Sequence, residues 1–593
     1  MRKFNYLLLC MLGLFISGHI SAQEILVVDP GEGTLNAAID ENGGDKIYQL
    51  QAGEWYGLTK TIENVDYHLQ VIGEPYDDQN PPATLQTGTT AEGDPIGFMF
   101  EAKGDITLKD IYFVNADLNG QIGGIFVRQS KEGGSVVVDN CVIDPVGLTG
   151  CVWLTGGDND LFFTNNISLR HGHMTGINDG HHFLIADAAA PSGADTVIIE
   201  NNTIVSVGTF FIMGAWNVHV NNFVKIDHST IMQHKGEFES TVFENEFYLT
   251  NNLLIDFSVF PTYDGVVLPG GDVDRPKRQL IMADTIVDET LPSDRIQYIQ
   301  YNSIFRSQSF YDLLAELTDT AVVTGGEKPF FQTLIWDGNT PEKYGADPAD
   351  ALDASREGIL FNHAGNVNND FPMWKYGNIS FDVDPVFNEP AIYEMSDNLA
   401  GWLRPIWYIY ALGYPSDEFP PTPEWPQWHW DPSGDASIND IWPVIDATYT
   451  DAATLEGSVA SLPLGDLNWY PEKKAEWEMN KEAIFAHIKA GNTEKISFVG
   501  VNKIANDGST LSKIFPNPMS TSALIEFTID NPSNVEIAVY NTVGQQVRNV
   551  MDEFRTAGRH TVTFERGNLN HGVYFYTIKA GNQSETQKLM IVE

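Results

Sequence analysis

From about Leu69 to Phe387 the chain alternates short apolar runs with Asn and Gly. Examples are "ITLKDIYFVNA", "SVVVDNCVI", "LFFTNNISL", "TVIIENNTIV", "VHVNNFVKI", "FYLTNNLLI" and "IQYNSIF". The unit is an apolar strand, an Asn or Asn-Asn, and a second apolar strand. Paired asparagines recur at Asn166, Asn202, Asn222 and Asn252, at intervals of 36, 20 and 30 residues. An irregular period in the range of about 20 to 50 residues is the mark of a solenoid. Runs this short, without helical periodicity between them, make it a β-solenoid. Asn suits its corners, since it tolerates the left-handed conformation a sharp turn needs and its amide can bond to the Asn one coil above. These asparagines are therefore read as scaffold.

The flanks carry different patterns. In "GTLNAAIDENGGDKIYQLQAG", Thr34 is expected to cap a short helix with Leu35, Ala38 and Ile39 on one face, ended by Gly43-Gly44. Helix then strand would close one end of the stack. After Pro390 the chain turns rich in Pro and Trp, with eight of its thirteen tryptophans between Trp402 and Trp477. Residues 391–494 are expected to wrap the solenoid's C-terminal end, with a helix placing Trp477, Ile484 and Ile488 on one side. A linker over 495–513 precedes residues 514–593, where apolar and polar residues alternate as in a small β-sandwich.

The N-terminus, "MRKFNYLLLCMLGLFISGHISAQ", has two basic residues, an apolar run too short to span a bilayer, and small residues before Gln23. That is a secretory signal peptide over 1–22, cleaved after Ala22. The mature chain then keeps Cys141 and Cys151, read as small buried apolar side chains rather than a bridge. With 80 acidic and 34 basic residues the net charge is −46. Such a surface repels nucleic acid and anionic membranes. No later segment is long and apolar enough for a membrane helix.

Two resemblances follow from these motifs. Residues 23–390 resemble the right-handed parallel β-helix of the pectin-lyase-like superfamily, on the opening "GTLNAAIDENGGDKIYQLQAGEWY" and the closing "NISFDVDPVF". That fold hosts lyases, hydrolases, epimerases and non-enzymatic adhesins, so the resemblance implies fold but not reaction. The last eighty residues resemble the C-terminal sorting domain of type IX secretion substrates. The motifs are "FPNP" (515–518), "VYNTVGQQV" (539–547), "GRHTVTF" (558–564), "GVYFYTIKAG" (572–581) and "QKLMIV". This resemblance implies export across the outer membrane of a Bacteroidetes-type cell, with the secretion machinery as a partner. The expected class is thus all-β: a parallel β-helix with a C-terminal sandwich.

The candidate chemistry lies in "RHGHMTGINDGHH", which packs four of fourteen histidines into thirteen residues. Arg170, His171, His173, Asp179, His181 and His182 are the candidate catalytic residues. Proton abstraction beside a uronate carboxylate needs a base tuned near working pH and a cation, which this set could supply if it converges. A glycosidase would instead need two carboxylates roughly 5 to 10 Å apart. Asp158, Asp160, Asp179 and Asp187 are the nearest. A metal on His171 and His173 with His181 or His182, and plain polar turn residues, are the other readings. Later coils add His219, His228 and His234. Neither the "GHG" and "NTD" of polygalacturonases nor the Asp-Pro-His-Glu of alginate epimerases is present. "DRPKRQ" brings Arg275, Lys277 and Arg278 together. The pairs Asp158/Asp160, Asp272/Asp274 and Asp382/Asp384 have the oxygen donors calcium prefers, though the sequence names no cofactor. The expected function is a secreted carbohydrate-active protein that cleaves an extracellular polysaccharide as a lyase or glycoside hydrolase. The alternative is a non-catalytic glycan-binding or adhesion protein.

Overall fold

The structure, a computed structural model, describes residues 23–76, 81–169, 181–256, 296–308, 373–389, 445–496 and 512–592. A few positions within those stretches are excepted, and 281–282, 361–362 and 392 are added. The chain forms two compact units that divide between Ser497 and Phe498. The segment 1–22, expected to be a signal peptide, lies outside the described residues.

Three parallel sheets build the first unit. Sheet A runs from Glu24–Val27 to Met373–Gly377 and sheet B from Gly31–Glu32 to Ser380–Phe381, each with eleven strands among the described residues. Sheet C runs from Ile62–Val65 to Phe361–Asn362 with nine. Each strand pairs with its equivalent one coil on, as between Val136–Asp139 and Leu161–Thr164. The fold is the expected right-handed parallel β-helix, the hand that parallel crossovers take. The sequence pattern showed two strands per coil. The third, in sheet C, is flanked by loops of unequal length and breaks the repeat.

The corner between sheets A and B explains the asparagines. Its first residue sits in the left-handed region on coil after coil: Asn140 (φ 54°), Asn165 (61°), Asn201 (52°), His228 (45°), Asn251 (60°) and Asn378 (52°). Its second residue is buried and bonds along the stack. Asn166 accepts from Cys141 N–H at 2.9 Å, and Asn166 N–H donates to Asn202 Oδ1 at 2.9 Å. Asn166 Nδ2 donates to Val138 O and Asn202 Nδ2 to Phe163 O, both at 2.9 Å. Ser229 N–H continues the ladder to Asn252 Oδ1 (2.9 Å), and Asn252 N–H to Asn302 Oδ1 (3.0 Å). Asn222 is no part of it. It lies within the strand Val220–Asp227, exposed, and donates to Asp195 at 2.7 Å. Ser229 takes the corner position that the reading of Asn pairs gave to Asn222.

Inside, aromatic rings pack edge-on or tilted, both within a coil and between coils. Phe113 and Phe126 lie 4.8 Å apart between centroids, Phe163 and Phe183 5.1 Å, and Phe183 and Phe211 5.4 Å. Cys141 and Cys151 are free thiols buried in the same core. At the N-terminal end the helix Thr34–Asn42 buries Leu35 and Ile39 over the first coils. Its cap is Gly33, left-handed at φ 72°, rather than Thr34, whose hydroxyl donates back to Gly31 O.

Residues 445–496 lie along the flank of the stack, on the corner between sheets A and B. The helix Pro471–Lys489 buries Trp477, Ile484 and Ile488, as its apolar face requires. Lys481 pairs with the buried Glu200 at 2.7 Å, and Lys489 with Glu246 at 2.8 Å. Before the helix, Asp466 is sealed at 1% exposure. Its carboxylate accepts from Thr203 Oγ1 (2.8 Å) and Asn468 N–H (2.9 Å), and its N–H donates to Thr230 Oγ1 (2.9 Å). Of the tryptophans expected to pack here, Trp469 and Trp477 do. Those from Trp402 to Trp442 lie outside the described residues.

The second unit pairs two antiparallel sheets. One orders Ser512–Phe515, Ser522–Ile529 and Gly558–Glu565; the other Gln546–Arg555, Ser533–Asn541, Gly572–Ala580 and Gln583–Ile591. Alternate residues such as Ile525, Ile537, Val539, Ile578 and Leu589 fill the space between them, the pattern of a sandwich.

Two stability predictions follow from these contacts. Asn202→Ala orphans Asn166 N–H and Phe163 O in the core, so denaturant unfolding should show a loss of about 2–6 kcal/mol, at about 1–3 per buried orphan. Asn222→Ala, on the surface, should cost under about 0.5 kcal/mol. Burial pushes the Asp466 carboxyl up to about 7 from the ordinary 3.8. The folded state then holds a proton that the unfolded state releases, so stability falls as pH rises from about 4 to 7. Asp466→Asn should flatten that decline in melting temperature across the same range.

Candidate functional site

Sheets B and C meet at the edge that carries the longest connections. The described strands Ile167–Leu169 and His181–Ala186 bracket 170–180; Leu253–Ile255 and Ile281–Met282 bracket 256–280. Both clusters singled out in the sequence therefore fall between a sheet B strand and the sheet C strand that follows it. Arg170, His171, His173 and Asp179 fall in the first connection, and Arg275, Lys277 and Arg278 in the second. All seven lie outside the described residues. Three coils separate the flanking strands, roughly 14 Å at the spacing of parallel strands.

His181 opens its sheet C strand, in register with Gly150 on one side and Phe210 on the other. His182, also placed among the catalytic candidates, is inside the solenoid at 0% exposure. Its ring stacks on Phe211 at 5.9 Å with planes 5° apart and meets Phe183 edge-on at 4.7 Å. Its Nε2 is 3.2 Å from Ser168 Oγ. Burial pushes the imidazole down to about 3, so it is neutral at physiological pH. A ring sealed in the core cannot reach a polymer, and His182 leaves the catalytic set. Of the later histidines, His228 and His234 do not join the set on one groove either. His234 is in the same core, edge-on to Phe211 at 6.4 Å. His228 is buried at the opposite corner, 5.7 Å from the Trp477 ring.

Sheet C presents a row the sequence reading missed. Glu63, Glu101, Arg128, Trp153 and Leu184 stand in register on successive coils. Their neighbours Phe100, Val127, Val152 and Phe183 fill the core, so the row faces outward. Arg128 holds Glu101 through Nε and Nη2, both at 2.5 Å, and its guanidinium lies 4.0 Å above the Phe98 ring. Ser130 Oγ donates to the other Glu101 oxygen at 2.8 Å. The Trp153 indole lies over Gly150, where a Cβ would come within 2.0 Å of Nε1; only glycine leaves that room. The signal was present in "GGIFVRQ" and "TGCVWLT", which align once sheet C is known.

The acidic pairs have local tasks. Asp158, left-handed at φ 48°, accepts from Ser192 Oγ at 2.8 Å. Burial and then Asp195 push Asp160 up to about 6. Asp384 caps Val386 N–H at 2.8 Å, and Asp272 and Asp274 lie outside the described residues. Among the described residues no group of three or more His, Cys, Asp or Glu could hold a metal ion.

Residues 513–592 match the family described as the secretion system C-terminal sorting domain, over the whole of the second unit's sandwich. The chain carries a secretion sorting domain. That domain directs export to the cell surface or the medium, and among the described residues no helix is long and apolar enough to cross a membrane. Among curated proteins none matches the chain. Among solved structures, a PL6 family alginate lyase, AlyGC, matches 39% of this chain and 36% of its own, at 13% identity and a TM-score of 0.20. This chain thus spans little more than a third of that lyase's length, and so loose an overlap carries nothing about reaction.

The burial of His182 yields a prediction of its own. Its folded pKa lies below the ordinary 6.5, so its stabilising contribution is complete above pH 6.5 and lost as pH falls toward 3. His182→Phe keeps the stack on Phe211 and removes the titration. The drop in denaturation midpoint between pH 7 and pH 4 should be smaller in the variant.

Proposed function

We propose that this exported β-helix acts on an extracellular polysaccharide at the outer face of sheet C, beside the edge it shares with sheet B. The observation that carries the reading is the outward row of Arg128, on its Phe98 platform, and Trp153. Flat aromatic and guanidinium surfaces suit ring-shaped, hydroxyl-rich ligands. Arg170, His171, His173, Asp179 and His181 are the proposed acid, base and electrophile for cleavage by elimination or hydrolysis. The strands on either side of 170–180, Ile167–Leu169 and His181–Ala186, belong to sheets B and C, which supports this reading.

A second reading, glycan binding without catalysis, has its own support. Three of the seven histidines between 171 and 234, His182, His228 and His234, are fully buried, which thins the set available for chemistry. One experiment separates the two. Purified mature chain is incubated with neutral and acidic polysaccharides, with and without Ca²⁺, and reducing ends are counted. The enzyme reading expects release on one polymer, reduced at least a hundredfold in His173→Ala or Arg170→Ala. Retention of a polymer with no release makes the protein a binder.

A further inference from the structure

We infer that the outer face of sheet C, from the N-terminal helix to Trp153, binds an uncharged polysaccharide chain. The inference rests on the reading above and narrows its ligand. The face begins in a cleft of about 600 Å³ between the N-terminal helix and the first sheet C strands, lined among others by Asn36, Lys60, Glu63 and Gly97. That volume lies within the range of small-ligand clefts. Gly97 adjoins Phe98, and Glu63 is in register with Glu101, so cleft and outward row are continuous.

The charges along this path cancel pair by pair. Lys60 holds Asp40 at 2.7 Å, Lys103 holds Glu63 at 2.8 Å, and Arg128 holds the buried Glu101. Among the described residues each of these cations is matched by a carboxylate at contact distance, and the row then continues in the uncharged Trp153, packed on the buried Leu184. Among the described residues of this face an anionic polymer would find no surplus cation, and it would meet the repulsion of a chain at −46. A chain of neutral sugars suits the face. Hydroxyls can exchange hydrogen bonds with the paired ions, and ring faces can stack on the indole and on the Arg128 guanidinium plane. An uncharged sugar also lacks the carboxylate that acidifies the ring proton in elimination, so any cleavage of such a chain is hydrolysis.

The test is affinity electrophoresis of the full chain through gels holding soluble xylan, glucomannan or mixed-linkage glucan, with alginate and polygalacturonate in parallel gels. At least one neutral polymer should retard the protein. Trp153→Ala should weaken that retardation at least tenfold at unchanged melting temperature, Trp153→Phe should keep most of it, and Gly150→Val should weaken it by displacing the indole. Glu101→Gln with Arg128→Gln, which leaves no lone buried charge, should weaken it also. Retardation by alginate or polygalacturonate alone would overturn the uncharged ligand while sparing the polysaccharide reading. Neutral retardation indifferent to Trp153 would overturn the location. No retardation in any neutral gel overturns the inference, whatever the reducing-end assay shows.

Discussion

The left-handed corner between sheets A and B is the constraint on which the first unit rests. A parallel coil must reverse direction there in two residues, which puts one residue at positive φ and turns the next one's backbone groups inward, away from water. Asparagine meets both demands. Asn165, Asn201 and Asn251 take the strained conformation, and Asn166, Asn202 and Asn252 satisfy the buried N–H and C=O groups of neighbouring coils. Where His228 holds the first position, Asp227 and Trp477 enclose it. Buried amides that are left unbonded cost more than the bonds contribute, so the ladder fixes register as well as strength.

The same corner positions residues 445–496. Lys474 donates to Asn165 Oδ1 at 2.8 Å, Asn468 Nδ2 to Asn201 O at 2.8 Å, and Val459 N–H to Asn251 Oδ1 at 2.9 Å. The flanking segment thus reads the first asparagine of each pair, while the ladder uses the second. One edge of the prism is covered in this way. The long connections fall at another edge, between sheets B and C. Structural and functional demands fall on different edges of one coil.

Electrostatics follow a similar division. Cations are few in this chain, and several on the β-helix are spent on carboxylates one coil away, as with Lys103, Lys109 and Arg128. In a stack of parallel strands a charge always has a neighbour about 4.8 Å along, so pairing across coils is the natural outcome. Surface pairs of this kind contribute little to stability, yet they decide what the surface offers a ligand.

The sequence by itself determined the parallel β-helix, its Asn corners, the helical face of Trp477, Ile484 and Ile488, and the terminal sorting sandwich. Each is written in a local period or motif: strand–Asn–strand, one helical face, alternating strands with turn residues. The sequence did not determine sheet C, because loops of unequal length separate its strands from the repeat. It did not separate Ser229 from Asn222, since an Asn pair reads alike in a corner and in a strand. Nor could it tell His182 from its neighbours. Whether an imidazole faces a groove or stacks on Phe211 depends on which way one strand is pleated against the next coil. That is decided by tertiary packing, where residues far apart in sequence, such as Arg128, Trp153 and Leu184, come to share one face.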